Sequence, residues 1–252
     1  MPKRTGRPLL TAIATGSFFA LLLVKLYWLA PLALLLVTAL FLLWTRDCGL
    51  KSDLVDLPVG HGTNLPHHYQ TEQPPSYWAM AFTLTADATL FASLLFGSLF
   101  LWLSAPNWPP ESAIPIDVTT SLIAGAALVM AAGFGRATFT GRTERNLCIV
   151  AFAYGVALLA LGYFLINTHG EATQHAAVAS IFAVKTYAIL HIFIGLILSL
   201  FCLWRVRSGY VSVRRDLDLR LGRQWHLFTL TTGLIALAFP LVISLLAGGA
   251  GP

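Results

Sequence analysis

The sequence predicts an all-α integral membrane protein with seven transmembrane helices. Of its 252 residues, 57% are hydrophobic and only 11% are charged, whereas about 25% of the residues of a soluble domain are charged. The apolar residues form long uninterrupted runs, and a run of about 20 residues is enough to cross a bilayer. The runs predict helices near residues 9–24, 28–45, 77–104, 117–139, 146–167, 177–205 and 225–247.

The distribution of positive charge predicts how these helices are oriented. Fourteen of the sixteen Lys and Arg residues precede the first predicted helix or fall in alternate loops after it. By the positive-inside rule, the amino terminus then lies in the cytoplasm and the carboxyl terminus outside. The pI of 9.3 therefore reflects topology, and no nucleic-acid partner is expected. The fourteen residues are Lys3, Arg4, Arg7, Arg46, Lys51, Arg136, Arg142, Arg145, Arg205, Arg207, Arg214, Arg215, Arg220 and Arg223.

Three regions follow from the predicted helices. Residues 1–45 are predicted to form a hairpin of two helices, and residues 77–252 a bundle of five. Between them, residues 46–76 predict an irregular cytoplasmic loop, because Pro and Gly recur there. Before the last predicted helix, the charged stretch 214–220 predicts either a short amphipathic helix or a solvated loop. The three Cys have no metal-binding spacing, and reduced thiols packed among apolar side chains are expected.

Asp87 is the candidate functional residue, because it lies in the middle of the third predicted helix. An ionised carboxylate at the centre of a membrane is unfavourable by about 3 kcal/mol or more. Counting the helical rise from the inner ends of their helices places Asp87 and His191 at comparable depths, so the two could form a hydrogen-bonded pair. A role in proton supply or partner contact and a purely structural role both remain open. Lys185 is expected to extend its amine to the outer surface.

The histidines predict no redox centre in this chain, no metal site and no catalytic residue. His226 is expected at the cytoplasmic edge of the last helix, away from the depth of His191, and a haem held by two imidazoles needs both at one depth. A loop cluster could bind a metal ion, but solvated side chains are the favoured interpretation. The cluster comprises His61, His67, His68 and Glu72.

Several short motifs, in order along residues 40–247, resemble subunit III of the haem–copper terminal oxidases, the cytochrome c oxidase type. The motifs are Trp44-Thr45-Arg46-Asp47, Gly60-His61, Tyr77-Trp78-Ala79-Met80 with Asp87 seven residues beyond Met80, Trp108-Pro109-Pro110, His191 with Gly195 four residues beyond it, and Trp225-His226-Leu227-Phe228. Residues 88–97 are more similar to the subunit III part of bacterial forms in which subunits I and III are fused. Two positions depart from the family: Asp87 replaces the usual Glu, and Thr229 replaces a frequent Asp.

The resemblance implies a subunit that carries no cofactor of its own beside subunits I and II, which hold the haems and copper. It implies a bacterial inner membrane with a periplasmic carboxyl terminus, and support of proton uptake by the assembled oxidase. It also implies a V-shaped cleft between hairpin and bundle that holds structural phospholipid, for which Trp44, Arg46 and His61 are the headgroup candidates. Whether cytochrome c or quinol supplies the electrons stays open.

Two other classes of protein are alternatives to an oxidase subunit. A small transporter or channel would use Asp87 and Lys185 to line a path, but no pair of Gly/Pro-broken spans recurs in two halves of the chain. A haem-b membrane anchor for a dehydrogenase is disfavoured by the expected depths of His191 and His226.

Overall fold

The computed structural model describes residues 6–47, 56–65, 73–104, 117–137, 142–168, 175–212 and 215–248. These residues form seven helices and one short β-ladder, so the predicted all-α class is confirmed for them. The helices are α1 (Arg7–Leu23), α2 (Ala30–Asp47), α3 (Pro75–Ser104), α4 (Val118–Arg136), α5 (Thr143–Thr168), α6 (Ala176–Arg207) and α7 (Leu217–Gly248). Two-residue strands, Leu57–Pro58 and Asn64–Leu65, pair antiparallel within the stretch predicted to be irregular.

The start of α7 is the largest difference from the predicted boundaries. The helix begins at Leu217 rather than near residue 225, whereas the other observed ends lie within three residues of the predicted ones. Asp218 in the first turn interacts favourably with the helix dipole. Asp216 forms an ion pair with Arg220 at 2.7 Å. The charged stretch 214–220, which was predicted to be either helix or loop, is therefore helical from Leu217 onward.

Five helices, α3 to α7, are long and apolar enough to cross a membrane. The helices α1 and α2 are also apolar but shorter, and α1, with 17 residues, spans only about 25 Å. Large apolar side chains cover the outside of the bundle; Leu103 and Leu159, for example, are each 77% exposed. Such an apolar exterior would be unfavourable in water and indicates a protein that is embedded in lipid.

The core of the bundle lies between α4, α5, α6 and α7. Small side chains on the facing sides of α4 and α5 allow these two helices to approach closely, as is common between helices in membranes. The buried small residues are Ala124, Ala127, Ala131, Ala153 and Ala157. By contrast, α3 contacts only α6 and α7 to any extent, and most of its surface is exposed.

In the described residues, α1 and α2 form a helical hairpin. The helices α1 and α2 pack against each other and make only sparse contact with α3 to α7. The turn between them passes through Lys25, which has a positive φ of 61°. At the other end, the Arg7 guanidinium donates to the Leu43 carbonyl at 2.5 Å and joins the two helices.

Candidate functional site

The predicted contact between Asp87 and His191 is present and joins α3 to α6. The imidazole Nε2 of His191 meets the carboxyl Oδ2 of Asp87. The His191 side chain is 4% exposed and that of Asp87 is 22% exposed, so the pair lies at the rim of the bundle. Because α3 has few other polar contacts to the bundle among the described residues, this pair is its principal polar attachment.

The other nitrogen of His191 determines how this pair carries its proton. Nδ1 lies 2.9 Å from the main-chain carbonyl of Tyr187, one turn earlier in α6. A carbonyl can only accept, so Nδ1 must carry hydrogen, and the contact with Asp87 then shares a single further proton. The pair is therefore either a carboxylic acid with a neutral imidazole or a carboxylate with an imidazolium. Both arrangements have no net charge, which is the condition for stability in an apolar environment.

Aromatic rings enclose the Asp87–His191 pair. Tyr187 stacks on Phe91 with centroids 4.9 Å apart, and its ring lies 4.1 Å from that of His191. On the other side, Trp225 stacks on His191 at 5.4 Å and 12°, and its indole N–H donates to the His191 carbonyl at 3.2 Å. These contacts hold the imidazole plane between α3 and α7 and exclude lipid from one side of the pair.

A second buried pair, Tyr154 with His226, lies in the core between α5 and α7. The phenol oxygen of Tyr154 is 2.8 Å from Nδ1 of His226, and the two residues are 1% and 3% exposed. The prediction that His226 lies at the edge of the last helix is wrong, although the residue does lie beside Gly135, next to the last residue of α4. Because α7 begins at Leu217, His226 is more than two turns inside the helix, and the neighbouring Trp225 reaches the depth of His191.

The two histidines are not arranged as ligands of one haem. His191 is engaged at both nitrogens, by Asp87 and by the Tyr187 carbonyl. Tyr154 is hydrogen-bonded to Nδ1 of His226, so the imidazoles of His191 and His226 have different partners. The engaged nitrogens therefore add orientation to depth as an argument against a bis-imidazole haem. Among the described residues there is also no group of three or more metal-binding side chains.

Gly195, a position of the family resemblance, has a packing explanation. A Cβ on Gly195 would lie 2.8 Å from Cζ of Tyr154, which is too close for any side chain. On α4, a Cβ on Gly135 would lie 2.5 Å from Cδ2 of His226. The two glycines thus accept the two rings of the buried pair, and their close approach sets the distances between α4, α5, α6 and α7.

Lys185 extends toward the Asp117 end of the bundle but does not reach the surface, because the residue is only 1% exposed. Its Nζ lies 3.2 Å from the centroid of the Phe164 ring, a cation–π arrangement inside the bundle. Asp117, the N-cap of α4, lies close enough to attract it. The Thr120 hydroxyl and main-chain N–H donate to Asp117 and hold the pKa of this carboxyl below its ordinary value, with a smaller contribution from Lys185.

The three headgroup candidates have different surroundings in the described part of the chain. Arg46 lies over the Trp204 ring of α6 at 5.8 Å, and Trp44 packs edge-on against Phe41 at 6.2 Å. His61 is exposed at the tip of the short β-hairpin, with φ 51°. The motif residues Trp108, Pro109 and Pro110, and the loop residues His67, His68 and Glu72, lie outside the described residues.

Three residues of these sites were not predicted from the sequence. Tyr187 precedes His191 by four residues and so shares its helix face, a spacing that could have identified it. Tyr154 lies in a uniformly apolar run with no local pattern, and Trp204 meets Arg46 only through the tertiary arrangement.

The fold and the two buried pairs define the class as a helical, lipid-embedded protein with polar side-chain pairs inside its bundle. A comparison of the chain with models of protein families and with curated proteins gave no match.

Proposed function

We propose that this chain is a non-redox accessory subunit of a proton-pumping aerobic terminal oxidase, corresponding to subunit III of the cytochrome c oxidase type. It would stabilise a haem-bearing subunit I, contact subunit II, hold phospholipid and support proton uptake. In this proposal all seven helices cross a bacterial inner membrane, with a cytoplasmic amino terminus and a periplasmic carboxyl terminus. The haems and copper belong to the partner subunits.

One observation carries the proposal. Three of the motifs that resemble subunit III come from distant stretches of sequence, yet their residues meet at neighbouring contacts between the helices. Asp87 meets His191, His191 stacks on Trp225, and Gly195 and His226 both contact Tyr154. Chance matches of three to five residues would have no reason to meet in space.

The separation of the hairpin from the bundle supports the lipid part of the proposal. The helices α1 and α2 have apolar outer faces and sparse contact with the other five. Lipid chains would fill the intervening V-shaped cleft, and an anionic headgroup would interact with Arg46 at its cytoplasmic end. Trp44 and His61 are the further headgroup candidates of this proposal.

Purification in mild detergent tests the proposal. We expect the tagged chain to co-purify with a haem-bearing protein that absorbs in the α-band, while the separated chain binds no haem. Purification without any haem-bearing partner would contradict the proposal. Solute transport by the chain alone in liposomes would instead favour the transporter class.

The role of Asp87 is tested in the assembled complex. Asp87→Asn retains the size of the side chain and removes the titrating proton. We expect a lower proton-pumping stoichiometry if the pair supplies protons, and unchanged pumping with normal assembly if the pair is structural. Thr89→Ala is the matched control, because the Thr89 hydroxyl on α3 only bonds its own helix, at the Ala86 carbonyl.

A further inference from the structure

A small cavity lies beside His226, toward the end of the bundle where α6 ends and α7 begins. Its lining includes Gly135, Cys202, Gly222 and His226. Its size corresponds to about one water molecule. Cys202 lies in the last turns of α6, near Arg205 and Arg207, so the cavity is in the arginine-rich, predicted cytoplasmic half.

The ring edge of His226 that faces this cavity is Nε2. A Cβ on Gly222 would meet Nε2 first, at 3.6 Å, and a Cβ on Gly135 would lie 3.5 Å from it. Gly222 lines the cavity on the Nε2 side, so the absence of its side chain leaves space next to that nitrogen. Gly135 instead accepts the Cδ2 edge of the ring, which a Cβ there would meet at 2.5 Å.

Tyr154 determines which nitrogen of His226 carries hydrogen. Tyr154 has one hydrogen bond of normal geometry among the described residues, to Nδ1 of His226. Where the Tyr154 O–H donates to Nδ1 rather than to the nearby Thr229 hydroxyl, the ring hydrogen of His226 resides on Nε2. Nε2 has no hydrogen-bond partner among the described residues, although His226 is only 3% exposed. Nε2 is not fully shielded from solvent, so a donor there can bond a water molecule in the cavity.

From this arrangement we infer that the cavity is an ordered-water site, in which His226 Nε2–H donates to a water molecule that exchanges with water at the arginine-rich end of the bundle. The water would also lie beside Cys202, which lines the cavity. The Cys202 thiol donates weakly to the Asp218 carbonyl at 3.8 Å. The site is distinct from the Asp87–His191 pair, which has both imidazole nitrogens engaged. It does not rest on the proposed function, since it follows from contacts within this chain.

Hydroxyl-radical footprinting with X-rays tests the site, because radicals form from the bound water itself. The full chain is used as purified from membranes, with whatever partners accompany it. We expect oxidation of Cys202 or His226 despite their burial, and loss of that oxidation in Gly222→Ala, whose new methyl group fills the cavity at an ordinary contact distance. Gly125→Ala is the matched control, because its Cβ would make equally ordinary contacts, 3.6 and 3.7 Å, with Leu234 and Leu237.

Two results of footprinting would overturn the inference: no oxidation of Cys202 and His226 in the natural chain, or unchanged oxidation in Gly222→Ala. Should that variant fail to fold, ¹⁵N NMR of the natural chain decides the question. We expect His226 to carry hydrogen on Nε2 and to receive magnetisation from water. A hydrogen on Nδ1, or no transfer from water, would contradict the site.

Discussion

The two buried histidines of this protein have opposite environments. His191 lies at the rim, pairs with an acid and attaches the exposed helix α3, whereas His226 lies in the core, pairs with a phenol and packs against glycines. The first pair can separate charge internally while staying neutral overall, and the second contains no acid. The difference indicates that, of these two pairs, the one at the junction with α3 can exchange a proton between an acid and a base, while the core pair is held by hydrogen bonding and close packing.

The core pair should be the more sensitive to added volume. Gly195→Ala would put a methyl group 2.8 Å from the Tyr154 ring, and overpacking of this kind destabilises by about 1–3 kcal/mol. We expect a lower thermal midpoint in detergent than for the natural chain. Gly155→Ala on α5 is the control, because nothing lies within 4 Å of its Cβ position. An unchanged midpoint for Gly195→Ala would show that the core is less tightly packed than the structure indicates.

The rim pair should be sensitive to the loss of one partner rather than to volume. Asp87→Leu removes the acid and leaves His191 Nε2 without its partner, which should destabilise by about 1–3 kcal/mol. The double variant Asp87→Leu with His191→Leu should recover part of this loss, because no buried polar group is then left unpaired. Stability measured by detergent titration checks both. Additive losses would mean that the two side chains do not interact.

Removing the phenol oxygen isolates the hydrogen bond of the core pair from its packing. Tyr154→Phe retains the ring against Gly195 and should destabilise by about 1 kcal/mol. Tyr163→Phe, on the same helix but 63% exposed, should have no measurable effect. Equal thermal midpoints for the two variants would contradict a stabilising Tyr154–His226 bond.

The smallest effect is expected where the hairpin meets the bundle. Trp204→Leu removes the ring under Arg46, a contact that at an exposed site contributes about 0.5–1 kcal/mol. Spin labels on α2 and α6 should then report a broader distance distribution. Trp78→Leu, which alters an exposed ring on α3, should leave the distribution unchanged.

The amino-acid sequence alone was sufficient to predict the helices and one of the two buried pairs. Long apolar runs need no tertiary information, because backbone groups in lipid must be bonded within the helix itself. Asp87 was found because a lone acid in such a run is conspicuous, and helical rise placed His191 at its depth. The position of His226 was misjudged because the start of α7 lies in a charged stretch, where local pattern does not separate helix from loop.

Only the tertiary structure decided which surfaces meet. Nothing local in the apolar α5 run distinguishes Tyr154 from its neighbours, and the burial of Lys185 against Phe164 depends on how α5 and α6 face each other. The close approach of Gly135 and Gly195 to rings on other helices is likewise a property of the packed bundle. The sequence by itself therefore determined the lipid-embedded helices and the acid at the rim, since both follow from solvation along one segment. The orientation of the side chains between helices required the packed bundle, because it depends on interlocking shapes from segments distant in sequence.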